Sequence, residues 1–282
     1  MLSIFCKLGT EFEKRLLFQT MQRFLLLILL TLFSLKITPS IIAQGTDDFM
    51  DLLLLYVDEK YDVCFHKSIK YTEKDKTKKH PLPYLYASMA SYEMSQDNKY
   101  TNMYPKAYKT AISYLTKYRK KDKGYEYRED SEDYIERIKF IVAEEIENYI
   151  LEATDNSYSK AAGLAKKVCS MDPVDYGSKL LYAHLCYMSR NKSAGKEYLD
   201  ISLEYLEALP ENKFAFKKMT KSQQYYLKYS IMEFAGFKKV KDPSTAKEII
   251  QLGEPYFYKE RDDCLLDDNE DFKILYDEIQ SL

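Results

Sequence analysis

Residues 157–188 read SYSKAAGLAKKVCSMDPVDYGSKLLYAHLCYM, and the Asp172-Pro173 step near their centre decides the fold. Asp is favoured just before a helix, because its carboxylate accepts a hydrogen bond from an unpaired N–H of the first turn. Pro suits the first helical position, where its missing N–H is not needed. The step therefore closes a helix through AAGLAKKVCSM and opens another through KLLYAHLCYM, with Asp172 as the cap of the second.

The same punctuation recurs on both sides. Downstream, SAGKEYLDISLEYLEAL reads as a helix stopped by Pro210. A second Asp-Pro step, Asp242-Pro243, separates helices over 216–236 and 244–258, and DDNEDFKILYDEIQSL carries one last amphipathic helix. Upstream, Ile135, Ile138, Ile141, Val142, Ile146, Tyr149 and Ile150 recur at three- and four-residue steps, which predicts a helix over 131–153. KAYKTAISYLTKY, opened by Pro105 and stopped near Gly124, and PYLYASMASYEMSQ, which follows Pro81, give two more. FMDLLLLYV and 60–72 complete the series. Runs of β-branched residues with period two are absent, so the expected fold class is all-α. The helices fall into pairs whose first members begin near 46, 82, 131, 174 and 215.

Pairs at such spacing are the sequence signature of stacked helical repeats. Counting back from Pro173, Ala161 takes the small-residue site of a second helix, with Ala165 and Val168 at the packing sites after it. Tyr86-Ala87 and Tyr182-Ala183 give a large-small step in two first helices, and Ala107 and Ala111 the small sites of another second helix. Over residues 44–282 the chain resembles a degenerate tetratricopeptide-like repeat protein, without the family's Trp and with no complete repeat. The resemblance implies antiparallel helix pairs stacked as a right-handed solenoid, which binds a partner on its concave face. The Tyr-rich, Lys-rich, Trp-free composition also resembles that of repeat proteins from Bacteroidota envelopes.

Residues 24–35, FLLLILLTLFSL, are too short for a bilayer span of about 20 residues but suit the core of a signal peptide. Cleavage is expected after Ala43, leaving 44–282 as one domain, with Met21 as an alternative start. An uncleaved 24–43 segment would instead anchor the chain to a membrane. The expected localisation is the periplasm or cell envelope of a bacterium.

Charge narrows the partners. The chain has 42 Lys+Arg against 44 Asp+Glu, a net charge of −2, which removes the electrostatic case for nucleic acid. Gly and Pro are scarce, at eight each, and no phosphate-cradling glycine loop, nucleophile elbow or His-Glu-x-x-His zinc motif is present. No cofactor or metal is expected. Asp267, Asn269, Asp271 and Glu278 copy the spacing of a calcium loop, but Phe272 stands where the sharp turn needs Gly, so a capped helix is expected. His66 and His184 are read as packed or surface residues on helices, and His80 as solvated. The runs Lys74–Lys79 and Lys117–Lys123 are read as solvated loops. Cys169 and Cys186 lie on antiparallel helices at heights about 15 Å apart, so no bridge is expected between them, nor between Cys64 and Cys264.

The 27 tyrosines exceed what a core uses easily, because each buried hydroxyl needs a partner. Tyr86, Tyr92, Tyr149, Tyr182 and Tyr226 are the candidate partner-binding residues. The function expected is a non-enzymatic protein-binding scaffold or accessory subunit. The alternative is a carbohydrate or peptidoglycan-fragment-binding module that uses tyrosine faces.

Overall fold

A computed structural model of the chain describes residues 49–209, 215–259 and 262–282. The segment read as a signal peptide, its cleavage point, the start at Met21 and Cys6 all lie outside the described residues. The chain divides into two units, Met1–Met50 and Asp51–Leu282, and all helices below belong to the second save for Met50 itself.

The fold is all-α, with no strand among the described residues. The helices are α1 (Met50–Val57), α2 (Tyr61–Glu73), α3 (Leu82–Gln96), a single turn α4 (Asn98–Thr101), α5 (Ala107–Lys121) and α6 (Arg128–Glu152). They continue with α7 (Asp155–Met171), α8 (Tyr176–Met188), α9 (Lys192–Ala208), α10 (Lys221–Lys238), α11 (Pro243–Gln251) and α12 (Glu270–Gln280). Side-chain caps fix six of the twelve starts. Thr154 and Ser157 bond reciprocally at the head of α7, and Thr220 and Gln223 do the same for α10. Asp242 accepts from Thr245 N with Pro243 at the first helical position, as its Asp-Pro step predicts.

The Asp172-Pro173 step differs from the sequence reading. α8 begins three residues later, and Asp175 is its cap, accepting from the Ser178 N–H at 2.9 Å. Asp172 is released for another task, a buried ion pair with Lys139 on α6. The helix expected over 244–258 also stops early, at Gln251. Pro255 has no N–H to continue the ladder, and the chain turns through a wider π-type segment at Glu254–Tyr258.

Successive helices pack as pairs: α3 with α5, α6 with α7, α8 with α9, and α10 with α11, while α2 lies on α3 and α7 on α8. Small residues set the close approaches, with Ala87, Ala111, Ala161, Ala165 and Ala183 all buried. The closest is at Gly177 on α8, where an added Cβ would lie 2.3 Å from the backbone N of Leu227 on α10. A cluster around Leu227, Ile231, Phe234, Phe257 and Phe272 forms the core of the C-terminal half.

α10 does more than follow α8. Its Tyr226 hydroxyl donates to the Lys139 carbonyl of α6 at 2.9 Å, and Glu136 of α6 accepts from the Ser222 N–H at 2.9 Å. That carboxylate sits against the unpaired N–H groups and positive dipole end of α10. The fifth pair therefore touches the third directly, across 86 and 87 residues of sequence.

Candidate functional site

Two polar constellations stand out, one sealed and one on a face. In the sealed one, the Lys139 ammonium lies 2.7 Å from Asp172 and 2.8 Å from Asp175, all three buried. Gln223 Nε2 donates to Asp172 at 2.8 Å, and the buried Arg119 donates Nε–H to the Met171 carbonyl at 2.9 Å. Burial pulls the Lys139 ammonium down, but Asp175 and Asp172 overcome it and hold the group above its ordinary range. Burial pushes Asp175 up to about 6 despite the lysine. Burial acts the same way on Asp172, but there Lys139, Gln223 and Arg119 prevail and hold it low. The cluster joins α5, α6, the 172–175 turn and α10 and is closed to solvent except at Gln223 and the edge of Asp172, so its chemistry is cohesion.

Arg119 corrects the reading of Lys117–Lys123 as a solvated run throughout. Arg119 and Asp122 within it are buried, and Asp122 accepts from the Tyr118 hydroxyl at 2.8 Å. His80 is not simply solvated either. Its Nδ1 accepts from Leu82 N at 3.3 Å, so Nε2 carries the proton and donates to the Tyr127 hydroxyl at 2.9 Å.

The second constellation runs across four of the first helices, α1, α3, α6 and α10. On α1, α3 and α6, the Tyr56 hydroxyl donates to Glu93 at 3.2 Å, and Arg137 donates to the same carboxylate oxygen at 3.2 Å. Arg137 also lies over the rings of Tyr92 and Tyr134, at 4.8 and 5.7 Å from their centroids. On α6 and α10, Phe140 packs on Tyr225 at 5.6 Å, Tyr225 donates to Glu147, and Tyr225 stacks on Tyr229 at 6.0 Å. Glu233, one turn beyond Tyr229, is held above the ordinary carboxylate range by burial and by the charge of Glu147. Burial and these two carboxylates push the Tyr229 hydroxyl upward as well. Neither Glu147 nor Glu233 forms an ion pair with a described residue. The result is a half-buried strip of rings and uncompensated carboxylates.

The five candidate tyrosines divide. Tyr86 is half-buried, with its edge toward Tyr56 at 6.4 Å and its hydroxyl pushed up to about 12 by burial. Tyr149 is half-buried, with Lys160 over its ring at 5.1 Å. Tyr92 and Tyr182 are buried, the latter edge-on to Tyr198 at 4.7 Å, and Tyr226 is fully buried. These three present no face to a partner, because their rings fill the interfaces between helices. Sequence reasoning missed Arg137, Phe140, Glu147 and Glu233. Their period matches the α6 and α10 stripes, but only the pairing of those two helices brings them together.

Other candidate sites are accounted for. The carboxylates of the calcium-like segment diverge: Asp267 pairs with Lys221 at 3.0 Å, Asp271 with Lys228 at 2.9 Å and Glu278 with Lys239 at 2.8 Å. Among the described residues no group of three or more His, Cys, Asp or Glu is placed to hold a metal ion. Cys64, Cys169, Cys186 and Cys264 are all free thiols. No described helix is long and apolar enough to cross a membrane. Set against models of known protein families, curated proteins and solved structures, the chain matches none of them.

Proposed function

We propose that the chain is a non-enzymatic scaffold or accessory subunit that binds another protein along the face made by the first helices of its pairs. In this reading the pairs stack as a right-handed, tetratricopeptide-like solenoid with the strip on its concave side. The reading is supported chiefly by the strip itself, which runs from Tyr56 and Glu93 through Arg137 and Phe140 to Glu147, Tyr229 and Glu233. Rings that keep one face wet and, at Glu147 and Glu233, carboxylates without a lysine or arginine suit a partner segment that is itself partly apolar and basic. The chain is further proposed to be exported, with 24–43 removed, and to act in a bacterial cell envelope.

Site-specific photocrosslinking tests this. A crosslinker placed at Tyr86 or Tyr229 in cells should capture one and the same protein, and Glu147→Gln with Glu233→Gln should weaken the capture. A crosslinker at the exposed Ile201 on α9 is the control. Equal capture at all three positions, or none at any, would refute the reading. Capture of glycan instead of protein at Tyr229 would favour the carbohydrate-binding alternative.

A further inference from the structure

A cavity of about 460 Å³ lies between α9, α10 and α11, on different residues from the strip. Leu199 and Leu203 form one wall, Ile249 and Leu252 the other, and Phe234 and Phe237 the floor. Lys192, Lys238, Thr245, Glu207 and Glu248 stand around the rim. Their order along the cavity follows from the helix directions. Gly177 meets Tyr226 and Leu227, and Tyr187 meets Phe234, so α8 and α10 run parallel. α9 and α11 each leave the far end of that layer through a short turn, so both start at the same end of the cavity. Lys192, the first residue of α9, Lys238, the last of α10, and Thr245 near the start of α11 therefore share one end. Glu207 lies at the other, about 22 Å away along α9. Two helix N-termini add their positive dipole ends beside the lysines.

The lysine end is neutralised only in part. Lys238 is 4.0 Å from Asp242, which also caps α11, but Lys192 forms no ion pair with a described residue. Glu248 stands on the α11 wall between the ends. Size and lining narrow what fits. A cavity of about 460 Å³ lined chiefly by apolar side chains, with a few polar groups at its rim, has the dimensions of a small-molecule site. A single hydrocarbon chain with a charged head suits that lining.

We infer that this cavity binds a single-chain anionic amphiphile, a fatty-acid-like carboxylate whose head lies at Lys192 and Lys238 and whose tail lies over Phe234, Phe237, Leu199 and Leu203. Apolar burial supplies the affinity and the lysine end selects the sign of the head group.

The test titrates the full chain with three twelve-carbon probes, laurate, dodecanol and dodecyltrimethylammonium, below their aggregation concentrations, by calorimetry. Laurate is expected to bind at one site, at least tenfold more tightly than the ammonium and more tightly than the alcohol. Lys192→Glu should remove that preference while leaving dodecanol unchanged. Leu203→Trp, which fills the cavity, should abolish binding of all three, with far-UV circular dichroism showing that the variant is folded. Equal binding of the three probes, unchanged laurate binding in Leu203→Trp, or no laurate binding overturns the assignment. Self-association that Leu203→Trp abolishes, with no laurate bound, would also overturn it and give the groove to a second copy of the chain.

Discussion

At the scale of single residues, the buried ions matter most. Lys139 faces two carboxylates in a dry site, so its removal leaves both without their counter-charge. Lys139→Met should cost about 3–5 kcal/mol, read as a lower urea midpoint. A truncation that leaves the midpoint unchanged would mean that water reaches Asp172 and Asp175. His184 makes the opposite kind of statement. Its ring is buried against Phe234 and Phe237, at 5.4 Å from each, and burial pushes it down to about 4. The folded chain thus resists a proton that the unfolded chain takes up near 6.5. The stability tied to a neutral His184 is fully present above pH 6.5 and is lost as pH falls from there to about 4. It amounts to about 3 kcal/mol. Relative to the parent chain, His184→Leu should gain stability across that window and change little above pH 7, as urea titrations at several pH values would show. The sequence reading of His184 as a packed or surface residue agrees with its burial, whereas the ion-paired role of Lys139 is not visible there. Lys139 reads as one polar residue on a helix stripe, and Asp172 reads as a cap, because capping chemistry is local and ion pairing across 33 residues is not.

Among elements, the packing of α8 on α10 rests on Gly177. With Leu227 N at 2.3 Å, a methyl group there forces the two backbones apart. Gly177→Ala should cost about 3 kcal/mol, at the upper end of what overpacking usually does. Gly163 on α7 has nothing within 4 Å of the position of its missing Cβ. Gly163→Ala should instead stabilise by about 0.5–1 kcal/mol through helix propensity alone. Opposite shifts in melting temperature for the same substitution would separate close packing from intrinsic preference. Most helices were legible, because the apolar period, the prolines and residues such as Asp242 act within a turn or two. The boundaries that moved, at Asp172 and at Pro255, moved because a tertiary contact or a missing N–H outweighed the local signal. The strip was legible only in part. Tyr86 and Tyr149 lie half-open, but helix periodicity alone cannot tell which tyrosines are taken by a neighbouring helix, as Tyr92, Tyr182 and Tyr226 are.

Over the whole molecule, burial sorts the thiols. Cys64, Cys169 and Cys186 are buried, with burial pushing Cys64 up to about 11 and Cys169 to about 12, whereas Cys264 is partly exposed. Brief alkylation of the native protein, mapped by mass spectrometry, should modify Cys264 and leave the other three until urea is added. Modification of Cys169 in the native protein would show that α7 and α8 open readily. The contact of the fifth pair with the third has a consequence for synthesis. A plain stack of repeats can fold behind the ribosome unit by unit, since each new pair needs only the one before it. Here the Lys139 carbonyl waits for Tyr226, which lies 87 residues later. At about 5–20 residues per second, the middle of the chain emerges roughly 4–17 s before the helix that completes its core. During that interval α6 presents an unfinished apolar edge to whatever accompanies the nascent chain.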